Sequence, residues 1–160
     1  VLRLARIALQ HYKTIVLVKT KEHGEQLAAQ LGIPFVHGGT PDRGAVFDAL
    51  AQGAIRGIVA TPLLEQGVDI PEAECLIDAV PRRSAVKILQ TIGRVRRPAP
   101  GKTVARVVTV IDLDGGPFER AAARKLDVYE QAGFALSWLD PVTLRPTQAA
   151  PEGATATVAG

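Results

Sequence analysis

The sequence has 160 residues, which fits one domain of ordinary size, and its hydrophobic share of 47% excludes intrinsic disorder of the whole chain. A single cysteine, Cys75, excludes an internal disulfide framework and a zinc knuckle, and it favours a reducing compartment, for which we expect the cytoplasm. No apolar run reaches the roughly 18 residues that a membrane-spanning helix needs, so we expect no membrane partner. The chain has no methionine and begins at Val1, so we interpret it as a piece of a longer protein.

Charge is unevenly distributed along the chain. The formal net charge is +3, from 19 basic and 16 acidic residues, but no acidic residue occurs between Asp78 and Asp112. That stretch carries +8 and the remainder −5, which favours a polyanionic partner, although a solvated basic face is the other interpretation. Because aromatic residues make up only 4%, backbone contacts should dominate any binding of nucleic acid. The basic residues of the stretch are Arg82, Arg83, Lys87, Arg94, Arg96, Arg97, Lys102 and Arg106.

Short apolar runs rich in β-branched residues alternate with helical segments along most of the chain. Gly32 ends one predicted helix, and Thr40 and Ser84 are the predicted N-caps of two others. This alternation is typical of right-handed βαβ crossovers, so the sequence predicts an α/β fold with a mostly parallel sheet covered by helices on both faces. We expect a domain at 1–140, followed by a flexible tail or linker at 141–160 that is rich in Pro, Ala, Thr and Gly. In chain order, the predicted elements are a helix at 2–12, a strand at 14–18, a helix at 22–31, a strand at 34–37, a helix at 40–52, strands at 57–60 and 75–79, a helix at 84–92, the longest strand at 104–113, a helix at 118–131 and a last strand at 134–139.

The first of two segments with candidate chemistry follows a predicted strand end, where ligands bind in parallel sheets. Residues 61–71 read Thr-Pro-Leu-Leu-Glu-Gln-Gly-Val-Asp-Ile-Pro, which is long for a simple connection. Thr61 can hydrogen-bond a phosphate or cap a turn, and Gly67 permits the close approach of a ligand. Asp69 can accept a hydrogen bond from a ribose hydroxyl or an arginine. Turn residues of an ordinary loop explain the same three positions.

The second segment, residues 90–97, reads Gln-Thr-Ile-Gly-Arg-Val-Arg-Arg at a predicted helix end. Arg94 and Arg97 lie three residues apart, so their guanidinium groups can meet one phosphoryl group. A basic helix end that complements the macrodipole is the alternative. The nearby Gly-Lys-Thr at 101–103 resembles the end of a P-loop, but Arg96 stands where that motif needs glycine, so we reject a Walker A site. The three histidines show no metal-ligand spacing, and the sequence predicts no metal site.

These two segments resemble motifs V and VI of superfamily 2 helicases, Thr-x5-Gly-x-Asp-x-Pro and Gln-x-x-Gly-Arg-x-x-Arg. The resemblance covers roughly residues 12 to 112, and the Val-Lys-Thr-Lys segment at 18–21 and the His-Gly-Gly turn at 37–39 stand in the family's order. The opening glutamine of the second motif and the Arg-Pro-Ala-Pro-Gly-Lys that follows it are similar to the XPB and phage repair-helicase branch. The DEAD-box branch begins this motif with histidine. One departure is Thr91, where many relatives have arginine.

The resemblance implies a second, C-terminal RecA-like domain of an ATP-dependent helicase or translocase that moves on DNA, with RNA as the other possible track. An N-terminal RecA-like domain of the same parent chain would supply the P-loop and the Mg²⁺ ligands, so ATP would lie between the two domains and this domain alone would be inactive. Arg94 and Arg97 would be arginine fingers, and Gln90 would lie near the γ-phosphate. Gly67 and Asp69 would line the nucleotide side of the cleft. The residues implied to contact the nucleic-acid backbone are Thr20, Lys21, Gly38, Gly39 and Thr61.

Two other functions stay open at this point. A non-catalytic α/β module could bind nucleic acid through its basic face, with the arginines on phosphodiesters. A Rossmann-type enzyme acting on a small phosphate ester is the other, but its Gly-x-Gly-x-x-Gly turn is absent from the sequence.

Overall fold

The computed structural model describes residues 1–62, 72–103, 105–111, 116–140, 143–147 and 155–159, the last of these by its backbone. Apolar strands and amphipathic helices alternate through these ranges, as the sequence predicts. In chain order they are α1 (Leu2–His11), β1 (Thr14–Leu17), α2 (Lys21–Leu31), β2 (Phe35–Val36), α3 (Arg43–Ala51), β3 (Gly57–Ala60), β4 (Cys75–Asp78), α4 (Ala85–Arg96), β5 (Arg106–Thr109), α5 (Gly116–Gln131), β6 (Ala135–Leu139), β7 (Pro146–Thr147) and β8 (Thr155–Ala159).

The strands form one sheet in the order β2-β3-β1-β4-β5-β8-β6-β7. The first five are parallel, with Thr14 of β1 in register with Gly57 on one side and Cys75 on the other. The last three strands join antiparallel. The predicted mostly parallel sheet is therefore confirmed.

Each face of the sheet carries its own core, because side chains alternate along a strand. Ile15 and Leu17 of β1 pack on one face against residues such as Leu50 of α3 and Ile88 of α4. Val16, between them, packs on the other face against α1 and α2. All four residues of β1 are buried, as the unbroken apolar run predicts for a strand covered on both sides. Helices on both faces give the predicted three layers.

Two of the three residues predicted to begin or end a helix do so in the structure. Gly32 ends α2 with a φ of +66°, and the Ser84 side chain accepts a hydrogen bond from the Lys87 backbone N–H at the start of α4. The prediction of Thr40 as the N-cap of α3 is wrong, because Asp42 caps that helix. The Thr40 hydroxyl instead accepts from the His37 backbone N–H at 2.8 Å and closes the preceding turn.

The segment predicted to be a flexible tail contributes two strands to the sheet. β7 pairs with β6, and β8 lies between β5 and β6, where Thr157 is opposite both Val108 and Ser137. The prediction of a tail from residue 141 onward is therefore corrected for these strands, and β6 is not the last strand. The physical reason is that the segment at 155–159, with three β-branched residues of five, pairs with the otherwise open edge of β5.

The strand predicted at 104–113 is shorter in the structure, since β5 spans Arg106–Thr109. Val104 and residues 112–115 lie outside the described residues. Helices α1 and α5 begin and end within a few residues of their predicted positions. Helix α4 begins as predicted but continues four residues beyond the predicted end at residue 92. That extra turn carries Arg94 and Arg96 inside the helix.

Candidate functional site

Helix α4 carries the second motif on a face that points away from the core. Its buried stripe consists of Ile88, Thr91, Ile92 and Val95, spaced as the inward face of a helix requires. Thr91, at the position where many relatives of the resembled family have arginine, is 7% exposed, and its hydroxyl donates to the Lys87 carbonyl at 2.8 Å. The departure from the motif therefore falls on the packed side of the helix and leaves the opposite side unchanged.

The opposite stripe holds the three residues predicted to be catalytic. Gln90 and Gly93 are exposed, Arg94 is half-buried, and the exposed Arg97 is the C-cap of the helix. Residues three or four apart lie on one side of a helix, so Gln90 and Arg94 share one face, and Arg97 follows one turn later. A Cβ added to Gly93 would have no neighbour within 4 Å among the residues that the structure describes. The structure thus forms an open polar surface, the α4 stripe, from Gln90, Gly93, Arg94 and Arg97.

Other basic residues near α4 make contacts within the domain. The Arg96 guanidinium lies 5.1 Å from the centroid of the Phe134 ring, a cation–π contact on the other side of the helix end. The Lys102 ammonium donates to the carbonyls of Val95 and Arg97, which satisfies the last turn of α4. The Arg106 guanidinium lies 4.4 Å from the Tyr12 ring centroid.

These contacts change the interpretation of the acid-free stretch. Arg82 is paired with a carboxylate, that of Asp78, whereas the contacts just described for Arg96, Lys102 and Arg106 hold the side chains in place without neutralising their charge. The sequence could not reveal this, because Phe134 and Tyr12 lie far from their cationic partners along the chain. The basic side chains at positions 83 and 87 remain exposed beside the start of α4.

A buried ionic cluster anchors the loop before α4, and the sequence analysis missed it. Asp78, the last residue of β4, is 2% exposed and accepts hydrogen bonds from the Val80 backbone N–H at 3.1 Å and from Arg82 Nη1 at 2.5 Å. Lys125 of α5 places its Nζ 2.8 Å from the other carboxylate oxygen. Burial lowers the pKa of Lys125, and the Asp78 carboxylate opposes that shift. The signal in the sequence was a lone carboxylate at the end of an apolar strand.

The residues implied to contact nucleic acid lie at one edge of the sheet. Thr20 and Lys21 follow β1 at the start of α2, where Thr20 caps the helix and both side chains are exposed. Gly38 and Gly39 follow β2 in an exposed turn in which the Gly39 N–H donates to His37 Nδ1. Because the strands are parallel, these positions share the carboxyl edge of the sheet.

Thr61 follows β3 at the same edge and differs from the others in burial. It is 6% exposed, and its hydroxyl has no hydrogen-bond partner among the described residues. Buried hydroxyls are usually paired, so a ligand atom is one candidate partner. Gly67 and Asp69, predicted to line the nucleotide side, lie outside the described residues.

The described residues contain neither a candidate metal cluster nor a membrane-spanning helix. Across 1–62, 72–103 and the shorter described ranges after them, no group of three His, Cys, Asp or Glu side chains is placed to hold a metal ion. Over the same part of the chain, none of the helices has the length and apolar character needed to cross a bilayer.

Comparison with known proteins places this geometry in a family context. The profile of the family described as "Helicase conserved C-terminal domain" matches residues 2–99, which include both motif segments. DNA 3'-5' helicase XPB of Kineococcus radiotolerans is 32% identical over 130 residues, which cover 79% of this chain and 23% of that protein. UvrABC system protein B of Nitratidesulfovibrio vulgaris is 28% identical over 150 residues, which cover 86% of this chain and 22% of that protein. The chain therefore spans less than a quarter of the length of these relatives.

The fold itself has a close counterpart among solved structures. The C-terminal domain of the DEAD-box protein Dbp5 superposes with a TM-score of 0.63 at 17% identity, over 82% of this chain and 78% of that domain. At this identity the superposition shows a similar fold and nothing about function. The predicted RecA-like architecture is confirmed by it, together with the mostly parallel sheet described above.

Proposed function

This chain belongs to the helicase conserved C-terminal domain family, and we propose that it is the C-terminal motor half of an ATP-dependent helicase or translocase that acts on DNA. The relatives named above include a DNA 3'-5' helicase, which supports DNA over RNA as the track. The proposal includes an N-terminal RecA-like domain in the same parent chain, because the sequence contains no P-loop of its own.

The observation that carries the proposal is the α4 stripe. Two arginines and a glutamine stand on the solvent side of a helix whose other side is fully packed, and a glycine with open space lies between them. Arg94 and Arg97 lie outside the packed stripe, on the side of the helix that faces the solvent. Planar guanidinium groups suit the oxygens of a transferring phosphoryl group. The stripe therefore fits the γ-phosphate of ATP.

Mechanistically, the contribution of this domain is charge neutralisation at the phosphate. Arg94 and Arg97 would stabilise the negative charge that develops on the phosphoryl oxygens, which lowers the barrier more than it strengthens ATP binding. Gln90, one turn earlier, would orient groups near the same phosphate. The contacts of Lys102 with the last carbonyls of α4 hold the helix end and hence the position of Arg97. The resemblance assigns the Mg²⁺ ligands to the N-terminal domain, so that domain would hold the metal ion.

Contacts to the strand would come from the carboxyl edge of β1, β2 and β3. Thr20 and Lys21 offer a hydroxyl and an ammonium group, and the turn at Gly38 and Gly39 lets a phosphate approach the backbone. The Thr61 hydroxyl, which lacks a described partner, would donate to a phosphate oxygen. These contacts address the backbone, so binding by this domain would be weakly dependent on sequence and steeply dependent on salt, by about 0.9 in slope for each neutralised phosphate of duplex DNA.

The test compares the 160-residue chain with a protein in which the chain is joined to the domain that precedes it in the parent. The chain alone should hydrolyse no ATP above background, with or without DNA, and the joined protein should show ATPase activity that DNA stimulates. Strong turnover by the chain alone would contradict its assignment as half of a motor. If the joined protein binds DNA but never hydrolyses ATP, the non-catalytic α/β nucleic-acid-binding module is the correct alternative.

A further inference from the structure

A cavity of about 320 Å³ opens at the carboxyl edge of the sheet, between the start of α2 and the start of α5. Its walls are mainly apolar and come from Val1, from the loop after β4, from Val110 after β5, and from Ala122 of α5. Charged and polar groups stand around it: Lys19, Thr20, His23 and Lys125. An apolar cleft of this size with a few polar groups is typical of a small-molecule or nucleotide subsite. None of the residues assigned above to ATP lines this cavity.

Lys125 gives the cavity a hydrogen-bond donor at its base. The ammonium group has three N–H donors, and its described acceptors are a carboxylate oxygen of Asp78 at 2.8 Å and the Asp78 carbonyl at 3.4 Å. Lys125 also lines the cavity, and its ammonium group has a third N–H donor that neither of these two contacts uses. With one carboxylate shared between Arg82 and Lys125, the buried cluster carries an excess positive charge that favours an electron-rich ligand atom.

Phe118 gives the cavity an aromatic face at its rim. Its side chain is 47% exposed, and the ring lines the cavity. The Lys19 ammonium lies 5.8 Å from the centroid of the ring. A ring beside a cation is the combination with which proteins stack a nucleobase and neutralise its phosphate. Thr20, one of the proposed strand contacts, lines the same cavity.

We infer that this cavity is a nucleotide subsite, in which one base of the bound strand stacks on Phe118 and accepts a hydrogen bond from Lys125. Lys19 and the Thr20 hydroxyl hold the adjoining phosphate. The inference rests on the proposed function, because it adds a base-holding subsite to the proposed strand-binding edge. It assigns to this domain one base contact in addition to the phosphate contacts. The site takes any base, because stacking and a single hydrogen bond do not discriminate strongly among the four.

The experiment measures, by fluorescence anisotropy, the affinity of the 160-residue chain for a short single-stranded DNA and for an abasic oligonucleotide of the same length. The chain should bind the intact strand roughly 5- to 100-fold more tightly, as expected for one stacked base. Phe118→Ala should bring the two affinities within about twofold of each other by lowering only the affinity for the intact strand. Because Phe118 is exposed, this variant should fold. Ile7→Ala, which removes another exposed apolar side chain from α1, should leave the ratio unchanged.

Three outcomes would overturn the inference. Equal affinities for the intact and abasic strands, both falling with salt, would remove the base subsite and leave the proposed strand binding standing. Binding of free thymidine monophosphate that Phe118→Ala abolishes, without any preference for the intact strand, would make the cavity a site for a free nucleotide. Absence of binding to either strand would contradict the proposed strand contacts together with the subsite.

Discussion

The ammonium group of Lys125 lies 2.8 Å from a carboxylate oxygen of Asp78, and both side chains are only 2% exposed. This pair ties the end of β4 to α5 across 47 residues of sequence, and Arg82 shares the same carboxylate. Since the Val80 N–H also donates to Asp78, the carboxylate fixes the loop that leads into α4. One buried acid therefore holds the loop that leads into α4.

We predict that Asp78→Asn lowers the free energy of unfolding by about 3–5 kcal/mol, because it leaves two buried cations without their counter-ion. Urea unfolding of the 160-residue chain measures this loss. Replacing both partners, Asp78→Asn with Lys125→Met, should cost less than the sum of the single changes, since the double variant removes one of the stranded charges. Strictly additive losses would mean that the two side chains are not energetically coupled.

We predict that the buried thiol of Cys75 makes the folded chain less stable at alkaline pH. The thiol is 2% exposed, and burial raises its pKa from 9.0 to about 11. Between these two values the unfolded chain loses the thiol proton while the folded chain keeps it, so stability falls as pH rises, by on the order of 2 kcal/mol in all. The full contribution of the thiol is present below pH 9.

The measurement is urea unfolding of the chain across this pH range, with Cys75→Ala as the control. The control lacks the thiol but retains Lys125 and Tyr129, so those groups cancel in the difference between the two proteins. The variant should be less stable at neutral pH because of the vacated volume, and its stability should decline less steeply with pH. Parallel curves for both proteins would rule out this role for Cys75.

Sequence patterns correctly predicted the features that depend on neighbouring residues, and they did not predict the contacts between residues far apart in the chain. The unbroken apolar run at β1, the Gly32 helix end and the Ser84 cap are each decided within a few residues, and each was predicted correctly. Thr40 was assigned as a cap because its hydroxyl suits one, yet that hydroxyl serves the turn at His37 instead. Two local hydrogen-bonding patterns competed there, and sequence alone did not rank them.

The candidate site shows the same division. Helical spacing was sufficient to place Arg94 and Arg97 together near the end of α4, and strand–helix alternation was sufficient to place Thr20 and Thr61 after strand ends. The partners of Arg96 and Lys125 depended on the packing of α5 and β6 against α4 and β4, which no local pattern encodes. The sequence therefore could not show which basic side chains are held by contacts within the domain.

Gly93 offers a test of the α4 stripe that does not involve charge. An added Cβ would meet nothing within 4 Å, and glycine inside a helix costs about 0.5–1 kcal/mol relative to alanine. Gly93→Ala should therefore stabilise the 160-residue chain by about that amount in urea unfolding, yet lower ATP turnover in the joined protein, where the added methyl group would stand in the path of the nucleotide.

Gly57→Ala is the contrasting control for the stability measurement. Its Cβ would lie 2.5 Å from the backbone oxygen of Thr14 and from Leu9 Cδ2, so it should destabilise the chain by roughly 1–3 kcal/mol. A destabilising effect of Gly93→Ala would show that the open space beside this glycine is not available to a side chain.

In the joined protein, Arg97→Ala should reduce ATP turnover by roughly 10³- to 10⁵-fold while leaving ATP binding nearly intact, because an arginine finger contributes most as charge develops in the transition state. Arg97→Lys should restore little, since an ammonium group cannot make the forked contact. Arg94→Ala should also be severe, and the double variant should lose less than the two losses combined, because both act on one phosphate. Steady-state ATPase assays with saturating DNA, together with nucleotide binding measured separately, distinguish these effects.

Arg96 is the matched control: its guanidinium stacks on Phe134, so Arg96→Ala should reduce stability slightly and turnover only a few-fold. A loss with Arg96→Ala as large as that with Arg97→Ala, in a folded protein, would show that the finger positions are assigned to the wrong arginines.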